Sequence, residues 1–223
     1  MPSSALDPRR TSRRVLEPQE RVAEVLFGLI MAITFTGSLS VAEAGRDDVR
    51  TMIVGALGCN LAWGIIDGVL YALGCLAERG RRFSTLRALR AAETSAQAER
   101  LLAGELPPLV ASVLEPAELS ALCRRLLALP PPTAAPRLTA KDLLGALAVF
   151  LLVFVSTLPI AAPFVLVSDV ARAMRLSNAV ALTLLLVTGG VYGRVVGRSP
   201  WAFGLGMTAL GSALVALTIA LGG

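Results

Sequence analysis

A single carboxylate lies deep in an apolar stretch of the sequence. Asp67 is the only charged residue between positions 51 and 77, and it lies ten residues before the polar end of that stretch, about 15 Å along a helix. A charge at the centre of a bilayer costs about 2.5–3.5 kcal/mol on insertion scales, so it faces a protein interior, a cavity or an ion. Asp67 is therefore the first candidate to bind a cation or proton. The alternative is a protonated acid that hydrogen-bonds a neighbouring helix.

Further candidate ligands lie near Asp67. Asn60 shares its predicted helix with small residues at four-residue spacing, a pattern that favours close helix packing: Ala56, Gly64, Gly68 and Ala72. In the preceding apolar stretch, Glu24 lies near the polar end and Met31 about 10 Å deeper. We expect Met31 and Asp67 at similar depth on antiparallel helices, where a thioether and a carboxylate could bind ferrous iron. Simple packing is the alternative for Met31 and the small residues.

A polar segment between residues 78 and 141 carries a second set of carboxylates. Glu93 and Glu99 are its candidate ligands for a hard divalent cation, which prefers oxygen donors. Solvated helix faces and helix caps are the alternative, because a six-residue spacing does not place two side chains on one face.

Composition excludes several kinds of chemistry. The chain has no His and only three Cys, so an imidazole base is absent and a thiolate zinc site is disfavoured. No nucleophile–base pair is visible, and we predict that the protein is not an enzyme. Its net charge of +5 comes from Arg residues placed where membrane topology demands them. No aromatic pattern accompanies them, so we predict no nucleic-acid binding.

The elements that position these residues are apolar helices. The chain of 223 residues is 55% hydrophobic and 17% charged, and a membrane span needs about 20 apolar residues. Five stretches meet that requirement: residues 25–42, 51–77, 143–168, 176–193 and 199–223. The prediction is an all-α, polytopic membrane protein with five transmembrane helices and a small cytoplasmic helical insert between the second and third helices.

The distribution of basic residues predicts the orientation. Of the 21 Lys and Arg, 17 fall in the N-terminal tail, the 78–141 segment and the 193–199 loop, which alternate with the other two loops. Because cytoplasmic loops are rich in Lys and Arg, we expect a cytoplasmic N-terminus and an external C-terminus. The high Arg and Ala content is typical of a bacterium, and hence of its cytoplasmic membrane. The predicted parts are a basic tail (1–21), transmembrane helices 1–2 (22–77), the insert (78–141) and transmembrane helices 3–5 (142–223).

The insert is expected to be a small bundle. Residues 85–102 read as one helix, and Pro116 with Glu115 and Glu118 marks the start of another. That second helix carries an apolar stripe, a pattern typical of a packed face: Leu119, Leu122, Cys123 and Leu126. We expect the insert to be too small for a core of its own.

Several motifs together resemble the vacuolar iron transporter family, from about Arg21 to Gly223. The first is the order of two spans, a helical insert and three spans. The others are local runs: Glu24-Val25-Leu26-Phe27-Gly28-Leu29, the small residues of the second span with Gly55 and Gly58, the double-proline run 158–164, and Gly197-Arg198-Ser199-Pro200-Trp201 followed by Gly204, Met207 and Gly211.

The resemblance implies a function and also shows departures. It implies a homodimer in the lipid bilayer that exchanges a divalent metal ion, Fe²⁺ or Mn²⁺, for protons along a path between the subunits. Family members carry Asp where this chain has Met31, and they offer Met and Glu in the second span, where this chain has Asn60 and Asp67. The alternative is therefore a transporter-like protein that has lost metal transport and moves another solute or acts as a scaffold.

Overall fold

The computed structural model describes residues 16–37, 46–130 and 135–220, and these residues fold into helices without a strand. The helices are α1 (Pro18–Gly37), α2 (Arg46–Ala91), α3 (Ser95–Glu105), α4 (Pro108–Val113), α5 (Pro116–Leu127), α6 (Ala140–Leu166), α7 (Val170–Val195) and α8 (Pro200–Ala220). The predicted all-α class is confirmed. Most of the predicted basic tail and residues 131–134 of the predicted insert lie outside the described residues.

Four of these helices are long and apolar enough to cross a membrane: α2, α6, α7 and α8. They have the architecture of a multi-pass membrane protein. The described part of α1 is not among the four, because it carries Glu20, Arg21 and Glu24 in its first two turns. The predicted first span, residues 25–42, includes positions after Gly37 that lie outside the described residues.

The chain divides into two compact units. The first contains α1, the part of α2 up to Tyr71, and α6 to α8. The second covers Ala72–Thr139, close to the predicted insert of residues 78–141.

Long apolar side chains fill the centre of the first unit. Leu29 and Ile33 of α1 pack with Ile160 of α6 and with Ala181 and Leu185 of α7, all at most 1% exposed. Because these residues come from three helices, α1 is held inside the bundle rather than at its edge.

Helix α6 runs through both prolines of the double-proline run. Each proline lacks the N–H that would bond the carbonyl four residues earlier, so the Val155 and Pro159 carbonyls lose that helical partner. The buried Ser177 hydroxyl donates to the Ile160 carbonyl at 2.7 Å and joins α7 to α6 at this turn. Helix α7 begins at Val170, earlier than the predicted residue 176, because Asp169 caps it by accepting from the Arg172 amide at 2.7 Å.

The second unit has a small core of its own, so the expectation that it would lack one was wrong. Leu89, Ala98, Leu102 and Cys123 pack together, each at most 5% exposed. The predicted single helix 85–102 was also wrong, because α2 ends at Ala91 and α3 starts at Ser95. The break lets Leu89 face Ala98 and Leu102 across the turn.

Helix caps fix the ends of the shorter helices in the second unit. The Thr94 hydroxyl caps α3 by accepting from the Gln97 amide at 3.2 Å. Glu115 and Glu118 form a capping box at the start of α5, as the sequence predicts. These glutamates therefore serve as caps.

Candidate functional site

Two acidic residues lie at one level where α1 packs against α2. Phe27 and Trp63 touch edge to face with ring centroids 5.9 Å apart, and Asn60 contacts Gly28. These contacts define an antiparallel register that brings Glu24 level with Asp67. The two carboxylates are close enough to interact electrostatically, and Glu20 on the preceding turn also acts on Glu24. The sequence predicts both acids as candidates, and the helix register places them at the same level.

The register disfavours the predicted pairing of Met31 with Asp67. Met31 lies seven residues beyond Glu24, about 10 Å further along α1. The antiparallel register therefore places Met31 nearer the level of Asn60 than of Asp67. A metal bound at Asp67 would find a second carboxylate as its neighbour instead of a thioether.

Asn60 holds three helices together. Its side chain is 0% exposed, and its Nδ2 group donates to the Gly28 carbonyl of α1 at 3.1 Å and to Thr157 Oγ1 of α6 at 2.5 Å. Its Oδ1 atom is buried without a hydrogen-bond partner in the described structure. Asn60 is thus a junction residue with one acceptor unused.

Asn60 and Asp67 do not share one ion. They are seven residues apart on α2, about 10 Å along the axis, whereas ligands of a hard divalent cation lie about 2.0–2.6 Å from it. This spacing disfavours the predicted joint ligation. The structure assigns Asn60 to the helix junction and leaves Asp67 with Glu24.

Small residues allow the close helix contacts that set this geometry. A Cβ on Gly64 would lie 3.1 Å from the Phe150 carbonyl of α6, and one on Gly68 would lie 2.8 Å from the Ala146 carbonyl. Real Cβ atoms essentially never approach closer than 3.0 Å, so α2 and α6 pack nearly backbone to backbone. The prediction of a close-packed small-residue face is confirmed at these two positions.

Two hydroxyl groups of α6 are not among the site residues predicted from the sequence. Ser156 and Thr157 are 8% and 1% exposed, and Ser156 donates to the Val153 carbonyl at 2.7 Å. The available signal was an adjacent Ser-Thr pair inside an otherwise apolar span.

The predicted ligands of the insert, Glu93 and Glu99, lie in local structural settings. Glu99 accepts from the Ser120 hydroxyl at 2.6 Å, and Glu93 lies before the start of α3. Throughout residues 16–37, 46–130 and 135–220, no group of three or more His, Cys, Asp or Glu side chains is placed to hold a metal ion. The helix-cap and solvated-face interpretation fits these positions better than ligation does.

Comparison with known proteins assigns no family. No family model matches the chain, and no curated protein matches it significantly.

Proposed function

We propose that the protein is a proton-coupled transporter of a divalent metal ion, iron or manganese, in the cytoplasmic membrane. The observation that carries the proposal is the α1–α2 register that places Glu24 level with Asp67, two carboxylates from neighbouring helices of the unit that contains the apolar helices. Two such groups repel each other when both are ionised, and either a proton or a divalent cation relieves that repulsion. The resemblance to vacuolar iron transporters supplies the identity of the metal.

In this proposal the pair forms only part of the coordination shell. Two carboxylates balance the charge of one divalent ion, but a hard cation needs about six oxygen ligands. Water and a second copy of the chain supply the others, as expected for a homodimer with a path between subunits. In this proposal α1 also crosses the membrane, which brings the number of spans to five. The N-terminus and the insert lie in the cytoplasm, and the C-terminus lies outside.

A second function competes because of a specific observation. The described residues assemble no group of three metal-binding side chains, and both Met31 and Asn60 lie away from Asp67. A transporter-like protein that has lost metal transport, and moves another solute or acts as a scaffold, would have this arrangement.

Metal flux into liposomes tests the proposal. The protein is reconstituted in vesicles that contain a Mn²⁺-sensitive dye, and uptake is measured for the wild type and for Asp67→Asn. Asp169→Asn is the matched control, because it removes the same charge from an exposed site while Asn still caps α7. We expect the wild type and the control to transport Mn²⁺ and Asp67→Asn to lose at least tenfold in rate. Equal flux in all three proteins would contradict the assigned role of Asp67.

Calorimetry separates the two functions. Tight Mn²⁺ binding that disappears in Asp67→Asn would show that the protein recognises the metal through Asp67, and would count against the alternative function. Absence of both binding and flux in the wild type would favour the alternative function.

A further inference from the structure

An apolar groove runs along the first unit between α1, α6 and α7. Its volume is about 540 Å³. The lining residues fall on one face of each helix: Leu16, Arg21, Val25 and Leu29 on the α1 side, a stripe of α6 from Ala148 to Pro159, and Leu184 on α7.

The length of the groove matches one leaflet of a bilayer. On α1 it extends from Arg21 to Leu29, about 12 Å at helical rise, and on α6 from Ala148 to Pro159, about 16 Å. The hydrocarbon core of a bilayer is about 30 Å thick, so half of it is about 15 Å. A single acyl chain of one leaflet has the same reach.

The chemistry of the groove is that of a lipid site. Leu151, Leu152 and Val155 form the α6 wall, and the hydroxyl of Ser156 is already engaged by the Val153 carbonyl at 2.7 Å. The one charged residue of the lining, Arg21, is exposed and lies at the end of the groove where α1 begins. An arginine in that position lays its aliphatic stem along apolar surface and keeps its guanidinium in the polar layer.

We propose that this groove binds one acyl chain of an anionic phospholipid, whose headgroup phosphate contacts Arg21. A packed helix from a second copy is the competing occupant, and the oligomeric state measured below distinguishes it from a lipid. The planar guanidinium group can bind two phosphate oxygens at once through parallel N–H···O hydrogen bonds. This site is separate from the Glu24–Asp67 pair, and the proposal does not depend on the proposed transport function.

Native mass spectrometry of the delipidated full chain tests the site. Dioleoylphosphatidylglycerol or dioleoylphosphatidylcholine is added back at equal concentration, and the bound lipids and the oligomeric state are counted together. We expect one tightly held lipid, with the anionic lipid preferred at least threefold. Arg21→Gln should abolish the preference while a lipid still binds, and Val155→Trp, which fills the groove, should remove this lipid.

Two control variants make the result specific. Leu205→Trp adds the same ring to another exposed apolar position, outside the groove, and Arg198→Gln removes a different exposed arginine. Both should bind lipid as the wild type does. Equal retention of the two lipids by the wild type, or full retention by Val155→Trp, would overturn the proposal. A change of oligomeric state in Val155→Trp would assign the groove to a second copy instead, and would also overturn it.

Discussion

Gly28 marks the closest approach of α1 to α6, and adding one methyl group there should disturb the junction at Asn60. In the Gly28→Ala variant, the new Cβ would lie 2.5 Å from the Val153 carbonyl oxygen and would also collide with Ser156 Oγ. The serine can rotate, but the carbonyl belongs to helix backbone. The helices must therefore separate by at least about 0.5 Å to bring that contact beyond 3.0 Å.

The expected magnitude follows from two opposing effects. Overpacking of a close contact costs about 1–3 kcal/mol, and weakening the Asn60–Gly28 bond costs about 0.6 kcal/mol more, the average for interhelical hydrogen bonds in membranes. Ala gains about 1 kcal/mol over Gly in a helix interior. The net expectation is a free energy of unfolding lowered by about 0.6–2.6 kcal/mol.

Gly58→Ala is the matched control, since a Cβ added at Gly58 would meet nothing within 4 Å. It should keep only the gain in helix propensity and raise the free energy of unfolding by up to about 1 kcal/mol. Unfolding by SDS in mixed micelles, followed through tryptophan fluorescence, compares the variants. Equal stability of Gly28→Ala and Gly58→Ala would refute the close α1–α6 contact.

Three further outcomes are expected. Replacing Asn60 by Leu should lower the free energy of unfolding by about 0.5–1.5 kcal/mol in the same SDS titration, because two interhelical hydrogen bonds are lost. An unchanged free energy of unfolding would contradict the role of Asn60 at the helix junction. Burial, and secondly the charge of Glu99, raise the pKa of the Cys123 thiol, which leaves less thiolate at pH 7.5. In a variant without the other two cysteines, maleimide should modify Cys123 at least tenfold more slowly in the native protein than after denaturation. Thr94→Ala should destabilise the second unit by about 1 kcal/mol through loss of the helix cap. Hydrogen exchange of the α3 amides measures this effect, and unchanged protection of those amides would contradict it.

The sequence predicts the helices of the first unit well because lipid-facing apolar stretches are long and uninterrupted. The helix ends are less predictable, since they depend on caps such as Asp169, which extends α7 beyond the uncharged stretch. The turn after Ala91 is a tertiary effect: Leu89 and Cys123 are far apart in the chain, and their packing favours two helices over one.

The candidate site, like the fold, could be predicted from the sequence only in part. A lone acid such as Asp67 stands out in an apolar stretch, but its partner depends on helix register. That register is fixed by contacts such as Phe27 with Trp63, which hydropathy does not encode. The register made Glu24 the neighbour and excluded Met31. Asn60 was recognised as polar and buried, while its role at the junction required the backbone of α1 and the hydroxyl of Thr157.

A double-mutant cycle on Mn²⁺ flux tests the central claim most directly. Uptake into liposomes is measured for the wild type, Glu24→Gln, Asp67→Asn and the double variant. If the two carboxylates form one cation site, each single variant loses at least tenfold in transport rate. The double variant is then little slower than the slower of the two single variants. Losses that multiply, or a double variant with wild-type flux, would contradict a shared site at Glu24 and Asp67.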